Sequence, residues 1–152
     1  MNTVDITVEG IEEPPWIEEV GTFCKNVLKE LQLDNWEVSI VFCNNDFIRE
    51  LNNRFRGKNE ATDVLSFSQL EGDDFPSFQT PSKIAGDIVI SLDMVEQNQR
   101  ETGDSWETEL KRLLIHGILH LAGYDHVEKE SEEEMMEYQN RLLQHLLGGK
   151  LL

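Results

Sequence analysis

The sequence predicts an α+β fold in which one mixed four-stranded sheet is covered by about five helices. Two patterns lead there. Four segments alternate apolar and polar residues or run apolar like strands, and five others repeat apolar residues at the roughly 3.6-residue spacing of amphipathic helices. Their order is strand, helix, strand, helix, strand, strand and then three helices.

Residues 2–9, NTVDITVE, alternate through Val4, Ile6 and Val8, as expected of a strand with one buried face. Pro14 and Pro15 break the chain before WIEEVGTFCKNVLKELQL. In that segment Ile17, Val20, Phe23, Val27, Leu28 and Leu31 fall on one helical face. WEVSIVFC, 36–43, alternates again through Val38, Ile40 and Phe42. An asparagine cap then opens NNDFIRELNNRF, with Phe47, Ile48, Leu51 and Phe55 at helical spacing.

DVLSFS, 63–68, and KIAGDIVIS, 83–91, read as two further strands. The connection between them, QLEGDDFPSFQTPS, is longer than a hairpin loop, either a tolerated surface insertion or a flap over a site. LDMVEQNQRE forms a helix ending near Gly103. Asp104 and Glu107 then make an Asp-x-x-Glu capping pair for a helix through Leu110, Leu113, Leu114, Ile118 and Leu121. A last helix, roughly 130–147, carries Met135, Tyr138, Leu142 and Leu146 on one face, and the glutamates of 128–137 read as its solvated side.

A chain of 152 residues is about one domain long, so a single unit over 1–152 is expected. No apolar run approaches the roughly 20 residues that span a bilayer, and the acidic N-terminus lacks the pattern of a secretory signal. No membrane role is expected, and the default location is cytoplasmic. Cys24 and Cys43 stand apart from each other and from any histidine, which reads as two buried spectator thiols. The formal charge of −17 repels polyanions over long range, so any nucleic-acid role needs a local basic site.

The segment HGILHLAGYDH, 116–126, holds three of the four histidines. His116 and His120, four apart on a helix, place their side chains about 5 to 6 Å apart on one face, a span one cation can bridge. Gly123 falls where a left-handed residue would end that helix, and the reversal through Tyr124 and Asp125 can return His126 towards the pair. Three imidazoles from one segment leave the fourth position of a tetrahedral zinc open to water, a catalytic rather than a closed structural arrangement. Asp125 is a candidate acceptor for a ligand's second ring nitrogen. His145 stands alone near the C-terminus and is read as uninvolved.

The spacing is shared with metalloproteases of the form H-E-x-x-H-x-x-G-x-x-H, but the position of their general base is Gly117 here. A peptidase reading therefore loses its proton acceptor. Another electrophile is suggested by RELNNRFRGK, 49–58, where Arg49, Arg54, Arg56 and Lys58 face Glu50 alone, a local excess of +3. Guanidinium forks match phosphate oxygens and charge developing on phosphorus.

LNNRFRGKNEATDVLSF at 51–67, GDIVIS at 86 and HGILHLAGYDH at 116 together resemble the YbeY family of bacterial endoribonucleases. The resemblance spans roughly residues 36–140; Ala61 and Ser68 stand where the family often has proline. It implies a zinc-dependent, single-strand-specific endoribonuclease that matures the 3′ end of 16S rRNA and serves ribosome quality control. It implies one Zn2+ ion on His116, His120 and His126, with Arg56 and His116 as catalytic residues. Implied partners are ribosomal RNA, small-subunit proteins and assembly factors. In this expectation Arg56 stabilises the charge that builds as phosphorus becomes five-coordinate. Two alternatives stand beside it: a metal hydrolase of another substrate class, and a non-enzymatic ribosome-assembly or RNA-binding protein with a structural zinc.

Overall fold

The computed structural model describes residues 1–68, 83–123 and 129–146. The elements are β1 (Thr3–Glu9), α1 (Ile17–Glu30), β2 (Trp36–Cys43), α2 (Asn45–Arg56), β3 (Val64–Ser68), β4 (Lys83–Ser91), α3 (Leu92–Thr102), α4 (Trp106–Leu121) and α5 (Lys129–Leu146). The strand order is β1-β2-β4-β3. β2 lies parallel to β1 and to β4, while β3 runs antiparallel along the outer side of β4. The sheet is mixed and four-stranded, as the sequence predicts. The connection 69–82, Asp125 and His126, and the side chain of Met135 fall outside the described residues. Among the described residues no helix is long and apolar enough to cross a membrane.

Alternation along the strands divides the core in two. Val38, Ile40 and Phe42 of β2 and Ile88 and Ile90 of β4 join α1, α4 and the end of α5 in the larger cluster. Cys43, Leu65 and Val89 join Ile48 of α2 in a smaller one, with Phe47, Leu51 and Phe67 packed against it. Helices α1, α4 and α5 therefore cover one face of the sheet and α2 the other. β3 contributes Val64 to the first face and Leu65 and Phe67 to the second, so Ser66 and Ser68 lie on the α4 side by alternation.

Local chemistry explains where the helices stop. Asn44 caps α2 as expected, accepting from the Phe47 N–H at 2.9 Å. Gly57 closes α2 with φ of +70°, and Gly103 closes α3 with φ of +78°. Helix α1 ends at Glu30, before its apolar pattern does. Gln32 adopts φ of +59°, its N–H bonds the Lys29 carbonyl, and Leu33 N–H reaches Leu28, a Schellman closure built without glycine.

The expected Asp104–Glu107 capping pair is corrected by one residue. Ser105 is the cap of α4, its hydroxyl accepting from the Thr108 N–H at 3.1 Å. The two carboxylates take ion pairs instead, Asp104 with Arg112 at 2.9 Å and Glu107 with Lys111 at 3.8 Å.

Both cysteines are free and buried, as expected. Burial drives the Cys24 thiol pKa upward. Cys43 is pushed up to about 12, first by burial and then by the charge of Asp93. Neither is a thiolate at neutral pH, so neither is a nucleophile or a metal ligand there.

The close fit of β3, β4 and α4 depends on two glycines. A Cβ at Gly86 would lie 2.2 Å from the Phe67 carbonyl oxygen and 2.9 Å from Leu121 Cδ2, and Gly86 adopts φ of +144°. The β2–β4 register slips at this point, passing over Ala85, a bulge beside the end of α4. A Cβ at Gly117 would meet Ile88 Cγ2 at 2.8 Å, so α4 presses on the sheet there. The glutamate that a peptidase would carry after its first histidine has no room at this buried position.

Candidate active site

Residues of the candidate site gather at one end of the sheet. The register pairs Val64 with Ile90 at one end of β3 and Ser68 with Gly86 at the other. Helix α4 descends along β4 so that Gly117 sits at Ile88 and Leu121 at Gly86, which brings its last turn to the Ser68 end. On the opposite face the last turn of α2 reaches the same end, where the Phe55 ring meets Phe67 edge-on at 5.4 Å. The terminus of β3 thus stands between the histidines of α4 and the basic end of α2.

His116 and His120 come together as the four-residue spacing predicts. Their ring centroids are 4.7 Å apart, with planes at 69°. Both are partly exposed, whereas their α4 neighbours Ile115, Gly117, Leu119 and Leu121 are buried. The same amphipathic geometry that fixes the helix on the sheet aims the two imidazoles along its open side.

Helix α5 adds a residue that sequence reasoning missed. Gln139 is buried, at 2% exposure, and its side-chain oxygen lies 2.8 Å from His116 Nδ1. An amide oxygen only accepts, so this hydrogen bond puts a proton on His116 Nδ1, and a neutral ring then carries its lone pair on Nε2. That is the tautomer a metal ligand needs when it binds through Nε2. Asp125, the acceptor the sequence suggests, lies outside the described residues; Gln139 supplies an acceptor to His116 from a different helix. A polar residue on the apolar side of α5, four from Met135 and three from Leu142, is the signal that was available.

The donor set fits zinc: two imidazoles on one face, one of them oriented by a buried acceptor on its Nδ1. Gly123 has φ of +96° and its N–H bonds the His120 carbonyl at 3.1 Å, so the chain does turn left-handed after α4. Among the described residues no group of three ligating side chains is complete.

Arg56 is the last residue of α2 and is exposed. Its neighbours in the basic stretch are only loosely paired: Arg49 lies 3.9 Å from Asp46 and Arg54 3.7 Å from Glu50, all well exposed. Such pairs contribute about 0 to 1 kcal/mol and are easily exchanged for other anions. Asn52, 3% exposed, holds the turn that follows: its Nδ2 donates to the Glu60 carbonyl at 2.9 Å and its own carbonyl accepts from Lys58 N–H at 3.3 Å. No contact between Arg56 and His116 or His120 is present among the described residues; the two groups lie across the end of β3 from each other.

Asp63, at the far end of β3, accepts from Asn98 at 3.1 Å, and Asn98 also reaches Glu109 at 3.3 Å. Its carbonyl receives the Ser91 N–H. Those contacts tie β3 to α3 and α4. His145 pairs with Glu30 at 3.2 Å, away from the histidine pair, in keeping with its reading as uninvolved.

Comparison with known proteins extends these observations. The family model described as Endoribonuclease YbeY matches residues 4–147, so the likeness includes nearly all of β1 and the whole of α5 and is wider than 36–140. A protein named endoribonuclease YbeY from Treponema pallidum is 42% identical over 143 residues, 94% of this chain and 89% of that protein. Its namesakes from Treponema denticola and Aquifex aeolicus are each 44% identical, over 91% and 85% of this chain and 90% and 83% of their own lengths. The solution structure of TM1509 from Thermotoga maritima superposes with a TM-score of 0.68 at 33% identity, covering 96% of this chain and 90% of that one. By the extent of the family match and by its identity to these relatives, the chain belongs to the endoribonuclease YbeY family.

Proposed function

We propose that the protein is a zinc-dependent endoribonuclease that cleaves single-stranded RNA, acting in maturation of the 3′ end of 16S rRNA and in ribosome quality control in the cytoplasm. The observation that supports it most directly is the His116–His120 pair with the Gln139 oxygen on His116 Nδ1. His116, His120 and His126 hold one zinc ion in this reading. When bound, zinc supplies Lewis-acid chemistry, lowering the pKa of water towards about 7 and withdrawing charge from a phosphate oxygen.

The protein's own groups do the rest. Gln139 keeps the His116 lone pair on Nε2 and fixes the ring. Arg56, exposed at the helix end and without a partner among the described residues, meets the negative charge that develops on the scissile phosphate. Arg54 and Lys58 hold flanking phosphates. The edge of β3 lies between the two groups, so the RNA strand crosses it at Ser68. Small-subunit proteins and assembly factors are the partners proposed to present the rRNA to a surface whose net charge otherwise repels it.

The test is metal analysis of the purified protein together with cleavage of a single-stranded RNA before and after chelation. The expected result is about one zinc per chain, loss of cleavage with chelator and its return with added zinc. Undiminished cleavage by a metal-free His116→Ala/His120→Ala protein removes the metal from the reaction.

A further inference from the structure

We propose that Phe55 is a stacking platform for an unpaired nucleobase, placed beside the cations that hold the neighbouring phosphates; this rests on the ribonuclease reading above. Phe55 is 60% exposed, and among the described residues only Met1 is a comparably exposed large apolar side chain. Its ring is nevertheless held in place. Phe67 of β3 contacts it at a centroid distance of 5.4 Å with planes at 64°, and Phe67 is itself packed on the smaller core cluster. An edge-on contact of this kind fixes the ring while leaving a π face for solvent or a ligand.

The surroundings fit a nucleotide. Arg54 and Arg56 flank Phe55 in the last helical turn, and Lys58 follows the left-handed Gly57 in the turn that Asn52 clamps. Among the described residues the acidic groups nearby are Glu50, already loosely paired with Arg54, and Glu60, beyond the turn. A cationic stretch carrying one exposed aromatic, on a chain of net charge −17, combines the phosphate attraction and stacking surface with which proteins hold single strands. Among the described residues a protein partner would find one ring and a half-buried neighbour, a patch too small for a stable apolar interface. A duplex keeps its bases stacked on each other, so this platform selects unpaired RNA.

The experiment measures binding of labelled 2′-O-methyl oligo(U) and oligo(A), which resist cleavage, to the zinc-loaded protein across a salt series. Phe55→Ala and Phe55→Leu are expected to weaken binding by about five- to a hundredfold at fixed salt, the range of a single lost base stack. The salt slope, zinc content and Tm are expected to stay as in the wild type, and Phe55→Trp is expected to restore affinity. Leucine separates stacking from packing, because it keeps apolar contact with Phe67 and offers no π face. Wild-type affinity in Phe55→Leu overturns the platform alone. A wild-type protein that binds neither oligonucleotide overturns the ribonuclease reading and the platform with it.

Discussion

The two ends that meet at the terminus of β3 are built in opposite ways. On the α4 side, His116 and His120 project from a helix pressed so closely on the sheet that Gly117 and Gly86 leave no room for a methyl group, and Gln139 braces one ring from behind. On the α2 side, Arg54, Arg56 and Lys58 stand in solvent, with one ion pair among them within the described residues, Arg54 to Glu50 at 3.7 Å. In the function proposed above, metal ligation calls for lone pairs fixed in direction before an ion arrives, a need the rigid histidine side would meet. In the same proposal a phosphate backbone approaches by long-range attraction and is gripped by side chains that adjust, so reach would suffice on the arginine side.

Breaking the seam between the two sides gives the largest expected effect. Gly86→Ala places a Cβ against the Phe67 carbonyl at a backbone angle that L residues rarely adopt. It is expected to destabilise the fold by about 3 kcal/mol or more in urea unfolding. A loss under about 1 kcal/mol would show that β3 is not locked to α4 through this glycine.

The next effect sharpens the rigid side. Gln139→Leu removes the acceptor from His116 Nδ1 at nearly equal volume, and zinc affinity by chelator competition is expected to fall about 10- to 100-fold. Gln139→Glu, which keeps an acceptor, is expected to restore it. Unchanged affinity in the leucine variant would make the contact incidental to ligation.

The smallest effect belongs to the exposed side. Arg54→Ala breaks a loose, solvent-exposed pair, so stability is expected to change by less than about 0.5 kcal/mol. The dependence of log affinity for single-stranded RNA on log salt is expected to flatten by about 0.7, one phosphate contact. A Tm drop with an unchanged salt slope would assign Arg54 to the fold.

Much of the fold could be read in the sequence because the strands alternate so regularly. Val38, Ile40 and Phe42 announce β2, and Asn44 and Gly57 announce both ends of α2. The end of α1 was hidden, since Gln32 adopts a left-handed conformation that its residue type does not signal. The cap of α4 was misplaced by one residue, because Asp104 and Ser105 are both good caps and the structure gives Asp104 to Arg112. The histidine pair followed from helical periodicity alone. Gln139 did not, because its partner is 23 residues away and only tertiary packing of α5 on α4 brings them together. Nor could periodicity show that Arg56 and His120 approach the same strand end from opposite faces, which depends on the β3–β4 register.

The most direct test of this division of labour is zinc content measured beside RNA cleavage in two variants, Arg56→Ala and His120→Ala. The account predicts that Arg56→Ala keeps its full zinc and loses cleavage by about 10²- to 10³-fold, the range for removing a group that stabilises developing charge, while His120→Ala loses both. Loss of zinc from Arg56→Ala, or full cleavage by zinc-free His120→Ala, would contradict it.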